Sequence, residues 1–216
     1  MEVSTGLILH SLWETLYMVS LSLIFGSLIG LPLGILLVVT RKGHILENRF
    51  IFAIINPVVN ILRSIPFIIL LVAIIPFTRF IVGTSIGTEA AIVPLVLHIG
   101  PYMSRLIENS LLEVDGGIIE SAQAMGATPL QIIFRFLIPE AFASIVLSIT
   151  TATIGLVGAT AMAGAVGGGG LGDLAITYGY QRFSTITIIV TVVVLVILVQ
   201  GVQSLGHFIE RKIRRI

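Results

Sequence analysis

The sequence predicts an all-α integral membrane protein whose chain crosses the bilayer five times. Of its 216 residues, 56% are hydrophobic and only 11% are charged, whereas soluble domains average about 25% charged residues. The mean hydropathy is +1.10, and several charge-free runs exceed the roughly 20 apolar residues that one membrane helix needs. This composition excludes an ordinary cytosolic enzyme and a disordered chain. With a net charge of +1, it also excludes a nucleic-acid-binding protein with a basic face.

Two residue types that carry much of protein chemistry are absent or rare. The chain has no cysteine, which excludes disulfides, thiolate metal sites and cysteine nucleophiles. Its two lysines, Lys42 and Lys212, are followed by Gly43 and Ile213. Neither therefore completes the Gly-x-x-x-x-Gly-Lys-Ser/Thr loop that binds nucleotide phosphates. If this protein uses ATP, we expect a separate chain to bind it.

The five predicted membrane helices follow the distribution of charge along the chain. Charge-free runs supply the first, fourth and fifth spans, whereas the second contains Arg63 and the third ends near Arg105. No lysine or arginine precedes the first span, so we expect it to stay in the mature protein and not to be a signal peptide. The predicted spans are residues 15–40, 55–76, 86–110, 142–166 and 185–207.

Basic residues predict the orientation of these spans. Nine of the twelve Lys and Arg residues share one side of the membrane if the chain crosses it five times, while only Arg79 and Arg182 lie on the other side. Positively charged loops stay in the cytoplasm, so we expect the N-terminus outside and the C-terminus in the cytoplasm. The nine residues are Arg41, Lys42, Arg49, Arg105, Arg135, Arg211, Lys212, Arg214 and Arg215.

Small residues at four-residue spacing predict close packing between membrane helices. The first span carries Gly26, Gly30 and Gly34 in this register. The fourth span carries a ridge of small residues, which consists of Gly155, Ala159, Ala163 and Gly167. A helix this thin either packs on several sides or lines a path that opens and closes.

Met162 is the bulky, flexible side chain between Gly158 and Ala165 in the fourth span. One interpretation makes it an apolar gate between two copies of the chain. The other makes it a core residue that fills a gap, as flexible methionines do. The adjoining glycine-rich residues 167–172 contain no lysine and fall on the outer side, so we expect a flexible external contact or gate and not a phosphate loop.

Prolines and an isolated charge mark the second span. Pro57 and Pro66 predict kinks, and such broken helices are typical of transporters. One interpretation of Arg63 is a contact to substrate or ion. The interpretation that we favour from sequence is a side chain that reaches the interface or pairs with Glu108 or Glu14.

The third span contains three further polar residues of interest. Arg105 and Glu108 are three positions apart, so they are predicted to form an ion pair on one helical face. His98 has no second intramembrane histidine or lysine with which to relay protons. We therefore expect His98 to be a hydrogen-bonded structural residue.

The segment from residue 115 to 138 is the one long stretch outside the predicted spans, and it predicts two short amphipathic helices joined by an elbow. Asp115 can cap the first helix and Gly126 can end it. Thr128-Pro129 restarts a helix that Pro139 ends before the fourth span. The predicted apolar faces are Ile118, Ile119, Ala122 and Met125, then Leu130, Ile133, Phe134 and Leu137. With one arginine and no lysine, the elbow fits a docking element better than helices lying on anionic lipid.

The elbow resembles a known motif. Glu120-Ser121-Ala122-x3-Gly126-x9-Phe136-x-Ile138-Pro139 is similar to the EAA loop of bacterial ABC importer permeases, Glu-Ala-Ala-x3-Gly-x9-Ile-x-Leu-Pro. The departures, at residues 121, 136 and 138, leave the Glu, the Gly and the Pro in place. Stretches such as Arg63-Ser-Ile-Pro-Phe-Ile-Ile-Leu70 and Gly164-Ala-Val-Gly-x-Gly-Gly-Leu-Gly172 resemble the methionine-uptake permeases, so that the resemblance spans nearly the whole chain.

The resemblance implies a type I ABC transmembrane domain over residues 13–207, located in a bacterial cytoplasmic membrane and without catalytic residues of its own. It further implies that two permease subunits pair with two P-loop ATPase subunits, which carry ATP and magnesium, and that an external binding protein delivers methionine. The residues that we expect to couple to the ATPase are Glu120, Ala122, Met125, Gly126 and Pro139.

Other functions stay open at this point. The same architecture can import another small polar substrate, because the sequence shows no certain pocket. A stand-alone secondary transporter needs intramembrane carboxylates or histidines for ion coupling, but Glu14, Glu89 and Glu108 fall toward the ends of spans. A membrane-embedded enzyme is disfavoured, since no Ser-His-Asp order, metal-ligand cluster or carboxylate pair converges.

Overall fold

The computed structural model describes residues 4–214, which are mostly helical. Helix α1 covers Thr5–Val39, and α2 (Arg49–Ser64) and α3 (Phe67–Ala73) are bent by 99° relative to each other. Arg215, one of the basic residues in the tail, lies outside the described residues. The other elements are α4 (Ile75–Val82), α5 (Thr88–Leu112), α6 (Gly116–Ala124), α7 (Pro129–Ile132), a π-helix (Ile133–Leu137), α8 (Ile138–Gly164), α9 (Gly170–Asp173), a second π-helix (Leu174–Tyr180) and α10 (Thr185–Arg214).

The predicted all-α membrane fold is confirmed, but the second span differs from the prediction. Four helical stretches of the described chain are long and apolar enough to cross a membrane, and the bent pair α2–α3 makes a fifth. The span predicted at 55–76 begins earlier, at Arg49, and is broken after Ser64. Ile65 is extended there (φ −79°, ψ 120°), because the ring of Pro66 disfavours the helical conformation of the residue before it.

The glycines of α1 allow its backbone to lie against α5. We call Gly26, Gly30 and Gly34 the α1 glycine stripe. A Cβ atom built on any of the three would lie under 3.0 Å from atoms of α5, closer than real Cβ contacts. On Gly30 it would lie 2.8 Å from Cβ of Met103 and 2.9 Å from the carbonyl oxygen of Gly100. Close backbone approach of this kind is the main source of packing energy between membrane helices, where no water is expelled.

Helix α5 lies at the centre of the molecule, between α1 and α8. Its buried residues repeat every four positions, at Leu95, Ile99, Met103, Ile107 and Leu111, and none is more than 1% exposed. On the α8 side, hydroxyl groups add polar contacts, since Oγ of Ser110 and Oγ of Ser148 are 2.8 Å apart. Helix α10 packs outside α8, and most of its apolar surface stays exposed, as expected for a lipid-facing helix.

We expect Gly30→Val to destabilise the fold by about 1–3 kcal/mol, because added methyl groups must push α1 away from the α5 backbone. The measurement is the thermal unfolding midpoint of the purified protein in detergent, which should fall. Gly201→Ala is the control, because Gly201 is exposed on α10 with nothing within 4 Å of a built Cβ. An unchanged midpoint for Gly30→Val would contradict the role given to the stripe.

Candidate functional site

The first helix of the elbow, α6, has well-formed caps at both ends. The Oδ1 atom of Asp115 accepts a hydrogen bond, 2.7 Å long, from the backbone N–H two residues later. At the other end, Gly126 adopts a left-handed conformation with φ +77°. The N–H of Ala127 donates to the carbonyl of Ala122 at 3.1 Å, and this bond with a left-handed glycine forms a Schellman motif. The turn between the elbow helices is therefore fixed by backbone bonds.

The second helix of the elbow begins at Thr128 and does not end where it was predicted to end. Thr128 and Gln131 form a capping box, in which each side chain accepts a hydrogen bond from the backbone of the other. From there one continuous helix runs through Ile133–Leu137 to Gly164. The prediction that Pro139 ends the helix is therefore wrong. The wider π turn relieves the clash between a proline ring and the preceding turn of a regular α-helix.

The residues predicted to couple to a partner differ in exposure. Glu120 and Gly126 are exposed, and Met125 is 71% exposed. Ala122 is fully buried and packs inside the elbow of the single chain, and its predicted role in coupling stays a prediction. Met125 was expected to share the buried face, but α6 ends at Ala124 and the turn directs Met125 outward.

The apolar face predicted for the second elbow helix is also changed. Ile133 and Leu137 are buried as predicted, but Leu130 is 66% exposed and Phe134 is 64% exposed. The buried positions of this helix are thus Ile132, Ile133 and Leu137, a narrower face than the sequence predicts. We call Glu120, Met125, Leu130 and Phe134 the elbow surface; its three exposed apolar side chains are typical of a protein-binding site.

The small-residue ridge predicted on α8 divides between two faces. Ala159 and Ala163 are buried, whereas Gly155 is exposed, and a Cβ built there would have only an ordinary 4.0 Å contact. Gly155 therefore does not belong with the packed residues of this chain. Gly158 is exposed with open space beside it, and Met162 is 52% exposed. Met162 is thus not a core residue of the single chain, and it lies on a thin exposed face of α8.

The glycine-rich residues 167–172 are held against the N-terminal part of α1. The backbone N–H of Gly170 donates to Oε2 of Glu14 at 2.8 Å, and the N–H of Leu171 donates to Oγ1 of Thr15 at 2.9 Å. A Cβ on Gly170 would lie 2.7 Å from that same hydroxyl oxygen. The expectation of a flexible external loop is corrected, because α1 accepts the backbone donors that such a loop would otherwise leave to water.

A network of polar side chains, centred on the buried Glu108, joins α2 to α5. Arg105 and Glu108 form the predicted ion pair at 2.5 Å, with their side chains 16% and 3% exposed. The guanidinium of Arg105 also donates to the Oδ1 atoms of Asn56 and Asn60 on α2. Glu108 is paired with Arg105, and the pairing of Arg63 with Glu108, one of the possibilities that the sequence offers, is not found among the described residues.

His98 lies in the third predicted span, and His44 lies in the loop after α1. Nδ1 of His98 is buried and has no hydrogen-bond partner within residues 4–214, so the predicted hydrogen bond at this atom is not found. The ring lies 5.1 Å from that of Phe67 on α3. In the loop after α1, burial and then the Arg41 cation lower the pKa of His44. The described residues hold no cluster of three His, Asp or Glu that could bind a metal ion.

Comparisons with known proteins agree with this architecture. A family model described as "Binding-protein-dependent transport system inner membrane component" matches residues 26–215. A Vibrio cholerae protein named as a probable D-methionine transport system permease protein MetI is 51% identical over 211 residues, which cover 98% of this chain and 94% of that protein. The D-methionine transport system permease protein MetI of Escherichia coli is 52% identical over 163 residues, covering 76% of this chain and 75% of that protein.

Solved structures show the same likeness. A chain from inward-facing conformations of the MetNI methionine ABC transporter has a TM-score of 0.95 and 50% identity, with 97% of both chains covered. A chain from an amino acid ABC transporter crystallised with histidines has a TM-score of 0.79, at 20% identity and with 98% of this chain and 100% of that chain covered. At that identity the second likeness concerns the fold alone.

We expect Glu14→Ala to loosen the glycine-rich residues 167–172, because the N–H of Gly170 loses its charged acceptor. Hydrogen–deuterium exchange of this segment should become at least about tenfold faster, the effect of losing one charge-assisted hydrogen bond. His10→Ala is the control, since His10 is 3.7 Å from Glu14 but does not bind the glycines. Equal exchange in both variants would show that the bond does not hold the segment.

Proposed function

Because this chain belongs to the family of binding-protein-dependent transport system inner membrane components, we propose that it is the permease subunit of an ATP-driven methionine importer. One observation carries the substrate: half of its residues are identical to those of a chain from a methionine ABC transporter, over 97% of both lengths. Relatives named for D-methionine transport support the same substrate class. The fold, with bent and broken membrane helices, is suited to a transporter and not to a static anchor.

The subunit lies in the bacterial inner membrane, and its charges support one orientation. With five crossings, the loop after α1, the elbow and the C-terminal tail lie in the cytoplasm, where basic segments are retained. The glycine-rich residues 167–172 then face outward, near an external binding protein that delivers methionine. A single cysteine introduced at Gly43 should react with an impermeant reagent only from the cytoplasmic side; reaction from outside would overturn this orientation.

The elbow surface is the proposed docking site for the ATPase. Its exposed Glu120, Met125 and apolar neighbours protrude beyond the membrane helices, and Gly126 lets the chain turn sharply beside them. Ala122 and Pro139 act indirectly, by packing the elbow and by continuing it into α8. Two permease subunits and two ATPase subunits assemble in this arrangement, and the ATPase subunits bind ATP and magnesium.

The continuous helix from Pro129 to Gly164 supports a mechanism of coupling. A nucleotide can shift the permease between two conformations only if it favours one of them, here through closure of the ATPase dimer against the elbows. Movement of the elbow is transmitted along this helix because no flexible break separates the two. Closure on ATP then opens the passage outward, and hydrolysis returns it to the inward-facing state.

Met162 is the proposed gate residue. It is half exposed on the thin face of α8, between positions that carry little or no side chain. In a dimer, two such side chains can meet across the passage and exclude water, and the flexible thioether can move aside at low cost.

The proposed function is tested with the reconstituted complex of permease, ATPase and binding protein in liposomes. Labelled D- and L-methionine should enter the liposomes only when ATP is present on the side of the membrane where the ATPase subunits lie. Uptake of a polar amino acid or a phosphonate in place of methionine would assign another substrate. Transport by the purified chain without the ATPase would favour a secondary transporter.

We expect Gly126→Asp to uncouple the transporter, since a side chain at φ +77° strains the turn and adds charge to the elbow surface. Uptake and ATPase binding should fall at least about tenfold, while the amount of protein in the membrane stays the same. Gly83→Asp is the matched control, because Gly83 has φ +82° at the end of a short helix far from the elbow. Normal uptake by Gly126→Asp would reject the docking site.

We expect Met162→Ala to weaken the gate. Ion or water leakage through the reconstituted complex without ATP should rise several-fold, while assembly with the ATPase is unchanged, because Met162 is not part of the core. Thr151→Ala, three turns away on the same exposed face, should not leak. A tight Met162→Ala complex would place the gate elsewhere.

A further inference from the structure

Arg63 is placed deep in the membrane part of the chain. It lies in the last turn of α2, just before the break at Pro66. It lies fourteen positions after Arg49 at the start of the helix, a length of about 20 Å at 1.5 Å per residue. The predicted span starts at residue 55, so the sequence alone places Arg63 nearer the end of its helix.

No carboxylate of the described residues lies within 4 Å of Arg63, and its side chain is exposed. The two acidic partners that the sequence offered are used elsewhere. Glu108 binds Arg105, and Glu14 accepts the N–H of the glycine-rich segment. Arg63 therefore has its full hydrogen-bonding capacity available.

Arg63 belongs to a polar face of α2. Asn56, Asn60 and Arg63 are spaced by four and three residues, so they lie along one side of the helix. Val58 and Ile61, 50% and 63% exposed, lie on the opposite side. A membrane helix that is polar along one face and apolar along the other has the pattern of a helix between lipid and water.

The polar face of α2 cannot be turned toward lipid. A charged side chain in the hydrocarbon region is costly, and intramembrane arginines accordingly face the bundle interior or a water-filled cavity. The break after Ser64 supports the same conclusion, because irregular backbone at membrane depth is tolerated only where it is buried or lines such a cavity. Arg63 is a charged side chain at membrane depth and also lies beside irregular backbone, in a chain whose proposed function requires an aqueous passage.

The hydrogen bonds of Asn60 reveal which ligand this face can bind. Arginine only donates, so Asn60 must present its Oδ1 atom to Arg105, at 2.8 Å. This leaves the amide NH2 group of Asn60 as a donor, three residues from the guanidinium of Arg63. Two donor groups, one of them cationic and able to bind in a forked geometry, match a carboxylate.

We propose that Asn60 and Arg63 line the translocation passage and bind the carboxylate of the amino-acid substrate during its transit. This inference rests on the proposed function, which supplies an amino acid as the cargo. A solvated arginine–carboxylate contact is weak, which suits a site that must release its ligand. The side chain of methionine is apolar and would make no charged contact with Asn60 or Arg63.

Cysteine accessibility tests the position of these residues, and the absence of native cysteines makes each substitution unique. In the assembled complex without ATP, Asn60→Cys and Arg63→Cys should react with a charged, membrane-impermeant methanethiosulfonate reagent, because the reactive thiolate forms only in water. Ile61→Cys, on the opposite face, should not react. Methionine should slow the reaction of Asn60→Cys, which keeps the Arg63 guanidinium, at least about fivefold, whereas methioninamide, which lacks the carboxylate, should not.

Uptake by Arg63→Gln gives a second measurement. Methionine transported per ATP hydrolysed should fall about threefold to fivefold, as expected for the loss of a solvated charged contact, while ATPase stimulation by the binding protein stays normal. Arg63→Lys should recover part of the uptake. Arg49→Gln removes the same charge from the exposed start of the same helix and should transport normally.

Three results would overturn the inference: an unreactive Arg63→Cys, equal protection by methionine and methioninamide, or uptake by Arg63→Gln within twofold of the unaltered complex. Loss of both assembly and ATPase stimulation in Arg63→Gln would also reject it, since it would assign a structural role. A failure of the proposed function is distinguishable, because the unaltered complex would then not transport methionine at all.

Discussion

The contact between the α1 glycine stripe and α5 is the constraint on which the rest of the structure depends. Three glycines bring two backbones together where side chains would hold them apart. This contact places α5, whose other sides carry the Arg105 network toward α2 and the hydroxyl contacts toward α8. The N-terminal part of α1 in turn holds the glycine-rich segment that follows α8. One helix thus positions both the central helix and this segment.

The positions of polar side chains within the membrane follow from whether they find hydrogen-bond partners. Arg105 pairs with the buried Glu108 and donates to Asn56 and to the exposed Asn60 of α2. Arg63, one turn further along α2, is exposed and has no such partner among residues 4–214. An exposed cation at this depth requires water or another subunit, so its position is itself information about where the passage runs.

The elbow and the exposed face of α8 are parts of one helical unit. A π turn between them removes the break that Pro139 would otherwise cause, so a displacement at the elbow is carried into the helix that bears Met162. Leu130 and Phe134 are exposed on the elbow portion of this same helix. The proposed docking surface and the proposed gate residue are therefore carried by one continuous helix.

The sequence by itself determined the membrane class, the approximate spans, the glycine packing positions, both elbow caps and the Arg105–Glu108 pair. These features are local: hydropathy, three- and four-residue spacings and capping residues act within a few turns of their own positions. Only the tertiary structure decided which elbow and α8 residues are buried and which are exposed: Ala122 is buried, whereas Leu130, Phe134 and Gly155 are exposed. It also decided that Pro139 lies within a helix and that the glycine-rich segment is bound to α1. Finally, it left Arg63 unpaired among residues 4–214. The π insertion keeps Pro139 inside a helix, and the other features depend on which distant residues lie beside each position; neither leaves a periodic signal in the chain.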